Sequence, residues 1–199
     1  MKNLIIKIIL SLIIIFLAWK VVESIMTPVR FENEKDRREE IVVQNLKDIR
    51  SVELVYKNIH NQYMSNFDTL IAFLKTGEIP VVNIIPDPTD TTFTKTINDT
   101  TDFVNVADSL FGRRIDFFLD SLKYIPFSNG EIFSIDAGTI VKGAVQVNVF
   151  EVSCLYKQFL KDLDDQLVLN AISAKEDIDL FPGLKVGSML EPSTDGNWE

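Results

Sequence analysis

The first hydrophobic segment of the chain extends from Leu4 to Val22 and contains no glycine, proline or acidic residue. A helix of this length is about 28 Å long, because each residue adds about 1.5 Å, so it can cross the hydrocarbon core of a bilayer. Lys7 lies one turn inside the segment, where its long side chain can extend back to the headgroups, and Trp19 and Lys20 lie at the other interface. The pattern predicts a single transmembrane anchor.

A cleaved signal peptide would begin with the same charged and apolar pattern. Such a peptide needs small residues at positions −3 and −1 of its cleavage site, and residues 20–26 contain no convincing Ala-x-Ala sequence. A lipoprotein signal would need a cysteine near residue 20, whereas Cys154 is the sole cysteine of the chain. We therefore expect an anchor that is not cleaved.

The charges on either side of the span predict its orientation. Lys2 and Lys7 mark its start, and residues 23–199 carry 17 basic and 29 acidic side chains. Basic segments stay in the cytoplasm, so the acidic body is expected to be exported, although Lys20 and Arg30 weaken the bias. This predicts a single-pass protein of the bacterial inner membrane with a periplasmic C-terminal domain.

One face of the anchor carries its few small and polar residues. Ser11 and Ala18 are seven residues apart, and Lys7 lies four residues before Ser11, so the three share nearly the same face. Two hypotheses stay open: this face packs against partner spans, or the anchor is a plain tether.

A second apolar pattern follows a strongly charged segment, residues 32–40, which is interpreted as a solvated helix face above the membrane. Within residues 41–63 the apolar positions recur in steps of three and four, as on one face of a helix: Val42, Leu46, Ile49, Val52, Tyr56, Ile59 and Tyr63. The opposite face is polar and includes Gln44, Lys47, Asp48, Arg50, Glu53 and Lys57. The apolar stripe is expected to be buried, against the protein's own domain or in a seam with another subunit.

Shorter elements are predicted after residues 61–65, which interrupt the helical pattern. Ser65 and Asp68 resemble a capping box that opens a second helix, which ends at Gly77 and Pro80 and buries Phe67, Leu70, Ile71 and Leu74. Residues 79–85 suit a short buried strand, and residues 86–102 suit a loop rich in proline, threonine and aspartate. Residues 107–123 are expected to form a helix with inward-facing Leu110, Ile115, Phe118, Leu119 and Leu122.

Alternating apolar and polar residues at 131–137 and 144–152 predict antiparallel strands, and a last strand is expected at 184–189. Residues 155–175 are predicted to be helical, with a break at 162–165 left open. The fold class is therefore α+β. A transmembrane helix continues into an amphipathic helix and is followed by a small antiparallel sheet with flanking helices.

This reading divides the chain into three parts. Residues 1–22 form the tail and anchor, residues 23–76 form the two helices that follow, and residues 77–199 form an exported α+β domain.

Composition narrows the classes of function. The chain carries 20 basic and 29 acidic residues, and so acidic a body repels a phosphate backbone, which argues against nucleic-acid binding. The sequence contains no G-x-S-x-G, H-E-x-x-H, C-x-x-C or P-loop motif, so we expect no enzymatic activity, cofactor or metal. His60 and Cys154 are interpreted as structural, and the carboxylates at 162–165 and 176–179 as solvated charges. Asp195 is a candidate Ca²⁺ ligand without a complete ligand set.

Three short sequences match glycosylation patterns. Asn98-Asp99-Thr100 matches the N-glycosylation sequon, and Asp90-Thr91-Thr92 and Asp99-Thr100-Thr101 resemble the sites that some bacteria O-glycosylate on exported proteins. Modification of these residues is left open.

Residues 48–56 (DIRSVELVY), followed by Asn61-Gln62-Tyr63 and a Leu-containing segment, form a distinctive local sequence. It resembles the part of type II secretion pseudopilins where the long helix ends in a tyrosine, a polar turn, a second tyrosine and a short helix. Residues 195–199 (DGNWE) are similar to the polar, Trp-bearing tail of the major pseudopilin. The resemblance covers residues 4–76. It implies a non-enzymatic, membrane-anchored structural subunit of a pilus-like or secretion-type machine, which oligomerises with itself or with other envelope proteins.

The chain departs from the pilin plan at the processing site. Pilins are cleaved after a glycine and carry a glutamate five residues into the mature helix, but here no glycine precedes Gly77, and Lys7 is the only charge in the first part of the span. Processing by prepilin peptidase is therefore not expected. An assembly-platform protein of the same machines would avoid this objection, and a membrane-tethered periplasmic binding or adaptor domain is the alternative function.

Overall fold

The predicted anchor and amphipathic segment form one uninterrupted helix, α1 (Lys2–His60), which has 59 residues and is therefore about 88 Å long. The computed structural model describes residues 2–86, 96–114 and 117–199. α1 continues through Pro28 and ends where Asn61 adopts a left-handed φ of 57°, a conformation in which asparagine is enriched. The apolar segment therefore enters the domain without a flexible linker.

The elements that follow α1 confirm the predicted α+β class. In chain order they are α2 (Phe67–Thr76), β1 (Glu78–Pro86), β2 (Thr96–Asn105), α3 (Val106–Phe111), a 3₁₀ turn (Leu119–Ser121), β3 (Ser134–Lys142), β4 (Val145–Leu155), α4 (Tyr156–Phe159), α5 (Asp165–Glu176) and β5 (Gly183–Gly187).

Strands β3, β4 and β5 form an antiparallel sheet with β4 in the centre. Ala137 of β3 lies opposite Phe150 of β4, and Cys154 of β4 lies opposite Leu184 of β5. The C-terminal segment runs along the outer side of β5, where Asn197 donates its backbone N–H to the carbonyl of Lys185 at 3.0 Å. The strands predicted from alternation are found within a few residues of their expected positions.

The hydrophobic core joins the C-terminal half of α1 to α2 and to one face of this sheet. Its fully buried side chains alternate along β4 as the sequence pattern requires, because successive residues of a strand point to opposite faces. Members from the different elements include Leu46, Ile49, Leu70, Leu74, Phe133, Phe150, Val152, Phe159 and Val186.

Strands β1 and β2 pair with each other in a separate antiparallel ribbon, with a register shift between Val81 and Val82. The strand predicted at 79–85 is present as β1, but the prediction that it is buried is wrong, because Val81 and Val82 are 42% and 41% exposed. The prediction of a loop at 86–102 is also wrong for residues 96–102, which belong to β2 because β1 supplies backbone hydrogen-bond partners. The Asp90-Thr91-Thr92 sequence lies outside the described residues.

The predicted helix at 107–123 is much shorter than expected. Asn105 caps α3 by accepting hydrogen bonds from the backbone N–H groups of Ala107 and Asp108, and the helix ends at Phe111. The Phe111 ring stacks on the Phe117 ring at 4.1 Å. Phe118 is 75% exposed, contrary to the prediction, while Leu122 is buried as predicted, and Ile115 lies outside the described residues.

Two helix boundaries are set by side-chain caps. Asn66, not Ser65, caps α2, because its carbonyl oxygen accepts the backbone N–H groups of Asp68 and Thr69. The break left open at 162–165 is present, since Asp164 caps the start of α5 by accepting the N–H of Leu167.

Candidate functional site

The N-terminal part of α1 projects from the domain. Residues 4–22 are exposed along their whole length, and α1 is the helix in the described part of the chain that is long and apolar enough to cross a membrane. That statement rests on length and composition, criteria that an N-terminal signal sequence also meets.

The end of the apolar segment carries a cluster of polar and aromatic groups. Lys20 Nζ lies 2.7 Å from Glu23 Oε2 and 4.9 Å from the centre of the Trp19 ring. This is the combination that favours a membrane–water interface, where an aromatic ring and a charged group meet lipid headgroups. Within the span, the Ser11 hydroxyl donates to the backbone carbonyl of Lys7 at 2.9 Å. The hydroxyl already has an acceptor within its own helix, so the packing role of this face stays a prediction.

The apolar stripe of α1 packs into the protein's own domain. Leu46, Ile49 and Val52 are fully buried, and Tyr56 and Tyr63 are nearly so. Of the two alternatives for this face, packing against the protein's own domain holds for these side chains. Ile59 does not follow the expectation: it is 38% exposed. It lies in the last turn of α1, and the chain reverses beyond it so that Tyr63 packs on Phe150, with ring centres 4.6 Å apart.

Three charged side chains of α1 are buried, although the sequence pattern assigned them to solvated faces. They are Arg38, Asp48 and Glu53. The assignment was wrong because it treated each charge as free, whereas each of these groups receives a polar partner from another part of the chain. A sequence signal exists for Glu53, since Val42, Leu46, Ile49, Glu53 and Tyr56 are spaced four, three, four and three residues apart, which places the glutamate on the apolar stripe.

Arg38 joins α1 to the segment between α4 and α5. Its guanidinium donates to Glu34, to the backbone carbonyl of Phe159 at 2.8 Å and to both carboxylate oxygens of Asp162. It also lies over the Phe127 ring at 4.8 Å. These hydrogen bonds lower the pKa of Asp162 to about 2, so the carboxylate that looked like part of a solvated cluster is a structural partner of a buried cation.

Asp48 joins α1 to the chain that follows α3. Arg114 donates to both of its carboxylate oxygens, at 2.5 and 2.7 Å, and Gln44 donates to one of them at 3.0 Å. The hydrogen bonds to Asp48 raise the pKa of Arg114, and its guanidinium also lies over the stacked Phe111 and Phe117 rings.

Glu53 joins α1 to the turn between α1 and α2. Its Oε2 atom accepts the backbone N–H of Met64 at 3.0 Å, and its buried Oε1 atom has no hydrogen-bond partner within residues 2–86, 96–114 and 117–199. Burial raises the pKa of this carboxyl to about 7. Lys57, one turn further along α1, donates instead to the Tyr63 hydroxyl at 3.3 Å.

The remaining candidates for chemistry have structural surroundings. Cys154 is buried, and burial raises the pKa of its thiol to about 12, which disfavours the reactive thiolate. The His60 ring lies 4.3 Å from the Tyr56 ring and 5.6 Å from the Phe73 ring. Asp195 is exposed and accepts a hydrogen bond from the Ser193 hydroxyl. In the described part of the chain, no three histidine, cysteine, aspartate or glutamate residues are grouped as metal ligands.

No protein-family model, curated protein or solved structure matches this chain. Its resemblance to pseudopilins therefore rests on the residues given above.

Replacing Arg38 with alanine should lower the free energy of unfolding by about 1–3 kcal/mol, because the carbonyl of Phe159 and the carboxylate of Asp162 lose their donor. Arg37→Ala is the matched control, since this neighbour contacts the same Glu34 but is largely exposed. It should leave the unfolding midpoint unchanged. Urea unfolding of the detergent-solubilised full-length protein, followed by near-ultraviolet circular dichroism, measures both effects, and equal midpoints for the two variants would contradict the role given to Arg38.

Proposed function

We propose that the protein is a non-enzymatic, membrane-anchored structural subunit of a pilus-like or secretion-type machine of the bacterial envelope. Its apolar helix would lie in the inner membrane and its α+β domain in the periplasm. The observation that supports this most is the continuity of α1, whose apolar half is exposed while its other half is built into the domain core.

A simple tether would not need a continuous helix between the span and the domain, so the continuity of α1 favours a further role. Phe31, nine residues beyond Val22, already packs against the domain core, so the domain meets α1 about 14 Å from the end of the predicted span. Across this distance the chain is helical, and a helix transmits both height and rotation from the span to the domain. A subunit that must present its domain in a fixed orientation to its neighbours benefits from such a connection.

The charged groups buried on α1 support a structural role. Arg38, Asp48 and Glu53 each bind a different segment of the domain to the same helix. Burying a charged group is costly unless it has a polar partner. The domain has such buried contacts where it connects to α1, which supports a structural role for this connection.

The assembly part of the proposal is tested by inserting five Gly-Ser residues after Val29, an exposed position of α1. If orientation is transmitted through the helix, the variant should keep its abundance and melting temperature but lose its high-mass assemblies in mild detergent. The matched control is the same insertion after Gly143, in the exposed turn between β3 and β4. It should assemble normally. The proposal would be contradicted if the unmodified protein were a discrete monomer, or if the variant with the insertion after Val29 assembled normally.

The topology is tested by protease treatment of spheroplasts. The domain should be digested from outside while a cytoplasmic control protein stays protected, and a domain that is protected together with that control would overturn the periplasmic placement.

A membrane-tethered adaptor domain is the second candidate, favoured by the β1–β2 ribbon. Val81, Val82 and Phe103 are exposed on it, and a strand edge can accept an extended segment of another protein through backbone hydrogen bonds. Under this candidate the full-length protein is a monomer on its own, and Phe103→Ser removes partner binding without a loss of stability.

A further inference from the structure

We propose that the Glu53 carboxyl and the Met64 backbone amide form a pH-sensitive latch, which holds the α1–α2 turn (residues 61–66) on α1 in mild acid and loosens towards neutral pH. This inference does not depend on the proposed function. Glu53 places a carboxyl group, fully enclosed, at the centre of an apolar helix face, and among the described residues it has one hydrogen-bond partner, the Met64 N–H.

The turn that Glu53 holds is a junction of three elements. Asn61 accepts a hydrogen bond at its backbone carbonyl from the side-chain amide of Asn148 in β4. Tyr63 packs on Phe150 of the same strand, and Asn66 caps α2. The bond from Met64 to Glu53 connects this junction to α1 together with the bond from Lys57 to Tyr63, so breaking it loosens the turn from the helix.

In the part of the chain that the structure describes, no cationic side chain donates a hydrogen bond to Glu53. On α1, Arg50 is paired with Glu199, and Lys57 is bonded to Tyr63. The ionisable groups of the adjoining elements are also paired or uncharged. Asp68 of α2 pairs with Lys123, and Glu151 of β4 pairs with Lys185 of β5. Cys154 is a buried thiol. Burial raises the pKa of Glu53, and the Met64 N–H opposes this shift.

The direction of the pH effect follows from the pKa of about 7 in the closed turn and the ordinary value of 4.5 when the carboxyl reaches water. Between these two values the closed form holds a proton that the open form releases, so raising the pH favours opening. The latch is therefore tightest below pH 4.5, weakens progressively up to pH 7 and changes little above it.

The Arg38 contact does not share this effect. At the membrane-proximal end, Arg38 keeps the pKa of Asp162 near 2. The Arg38–Asp162 contact therefore does not titrate between pH 5 and 8. Acidity thus acts on the turn at the far end of α1, while the Arg38–Asp162 contact stays constant.

Hydrogen–deuterium exchange of the full-length protein in detergent tests the latch. After correction for the intrinsic pH dependence of exchange, the opening equilibrium of residues 61–66 should rise on the order of 30-fold from pH 5 to pH 7 and then level off. Residues 159–162, around the Arg38 contact, should show no such rise. A flat profile for residues 61–66 in the unmodified protein would overturn the proposal, whatever the variants do.

Glu53→Gln provides the matched comparison, because glutamine can still accept the Met64 N–H but does not ionise. It should match the unmodified protein at pH 5 and remain closed at pH 7. Glu40→Gln, an exposed position on the same helix, should keep the rise of the unmodified protein. A Glu53→Gln profile that rises like the unmodified one would assign the opening to another group.

Discussion

Replacing Phe150 with alanine is expected to destabilise the domain by about 3–5 kcal/mol, the range found when a fully enclosed phenylalanine is truncated. Phe150 has no exposed surface, lies opposite Ala137 in the centre of the sheet, and contacts the Tyr63 ring. Its loss would leave a cavity at the junction of β4 with the α1–α2 turn, where surrounding strands are held by their hydrogen bonds and cannot collapse freely.

The control for Phe150 is Phe103→Ala on the β1–β2 ribbon. Phe103 is 59% exposed, so the same deletion removes little buried surface, and a change below about 1 kcal/mol is expected. Urea unfolding of the full-length protein in detergent measures both variants. Similar losses at the two positions would mean that the ribbon is buried in solution, contrary to the structure.

The Ile49→Ala variant is expected to lose about 2–5 kcal/mol of unfolding free energy. Ile49 is fully buried in the middle of the α1 stripe, between Leu46 and Val52. Residues 4–22 of α1 are exposed and lie outside the core, so this loss should loosen the domain from its helix and not affect the span itself.

Ile59→Ala is the control for Ile49, since it makes the same change ten residues along the same helix. Ile59 is partly exposed in the last turn, so its truncation should cost less than about 1 kcal/mol. If Ile49→Ala left both the unfolding midpoint and the assembly state unchanged, the packing described for the stripe would be wrong.

These stability effects separate folding from assembly. Truncations in the core should lower the unfolding midpoint, whereas the insertion after Val29 should change assembly at an unchanged midpoint. A subunit whose domain is oriented by a rigid helix should respond independently to the two kinds of change. A plain tether should respond only to the first.

Much of the fold could be predicted from periodicity. The spacing of three and four residues identified the buried face of α1 at Leu46, Ile49 and Val52, because a helix brings such positions to one side whatever it packs against. Alternation identified β3 and β4 for the same geometrical reason, with a period of two. The apolar length of residues 4–22 likewise predicts a span without reference to any partner.

Partners distant in sequence decided the rest. Arg38 and Asp48 are buried because Asp162 and Arg114, more than 60 residues away along the chain, come close enough to pair with them. Residues 96–102 form a strand because β1 lies beside them, although their composition alone indicates a loop. Local patterns contain no information about such pairings, so the sequence by itself determined which faces of each element are apolar. Only the tertiary structure decided which charges could be buried, since a buried charge is stable only where the fold supplies its partner.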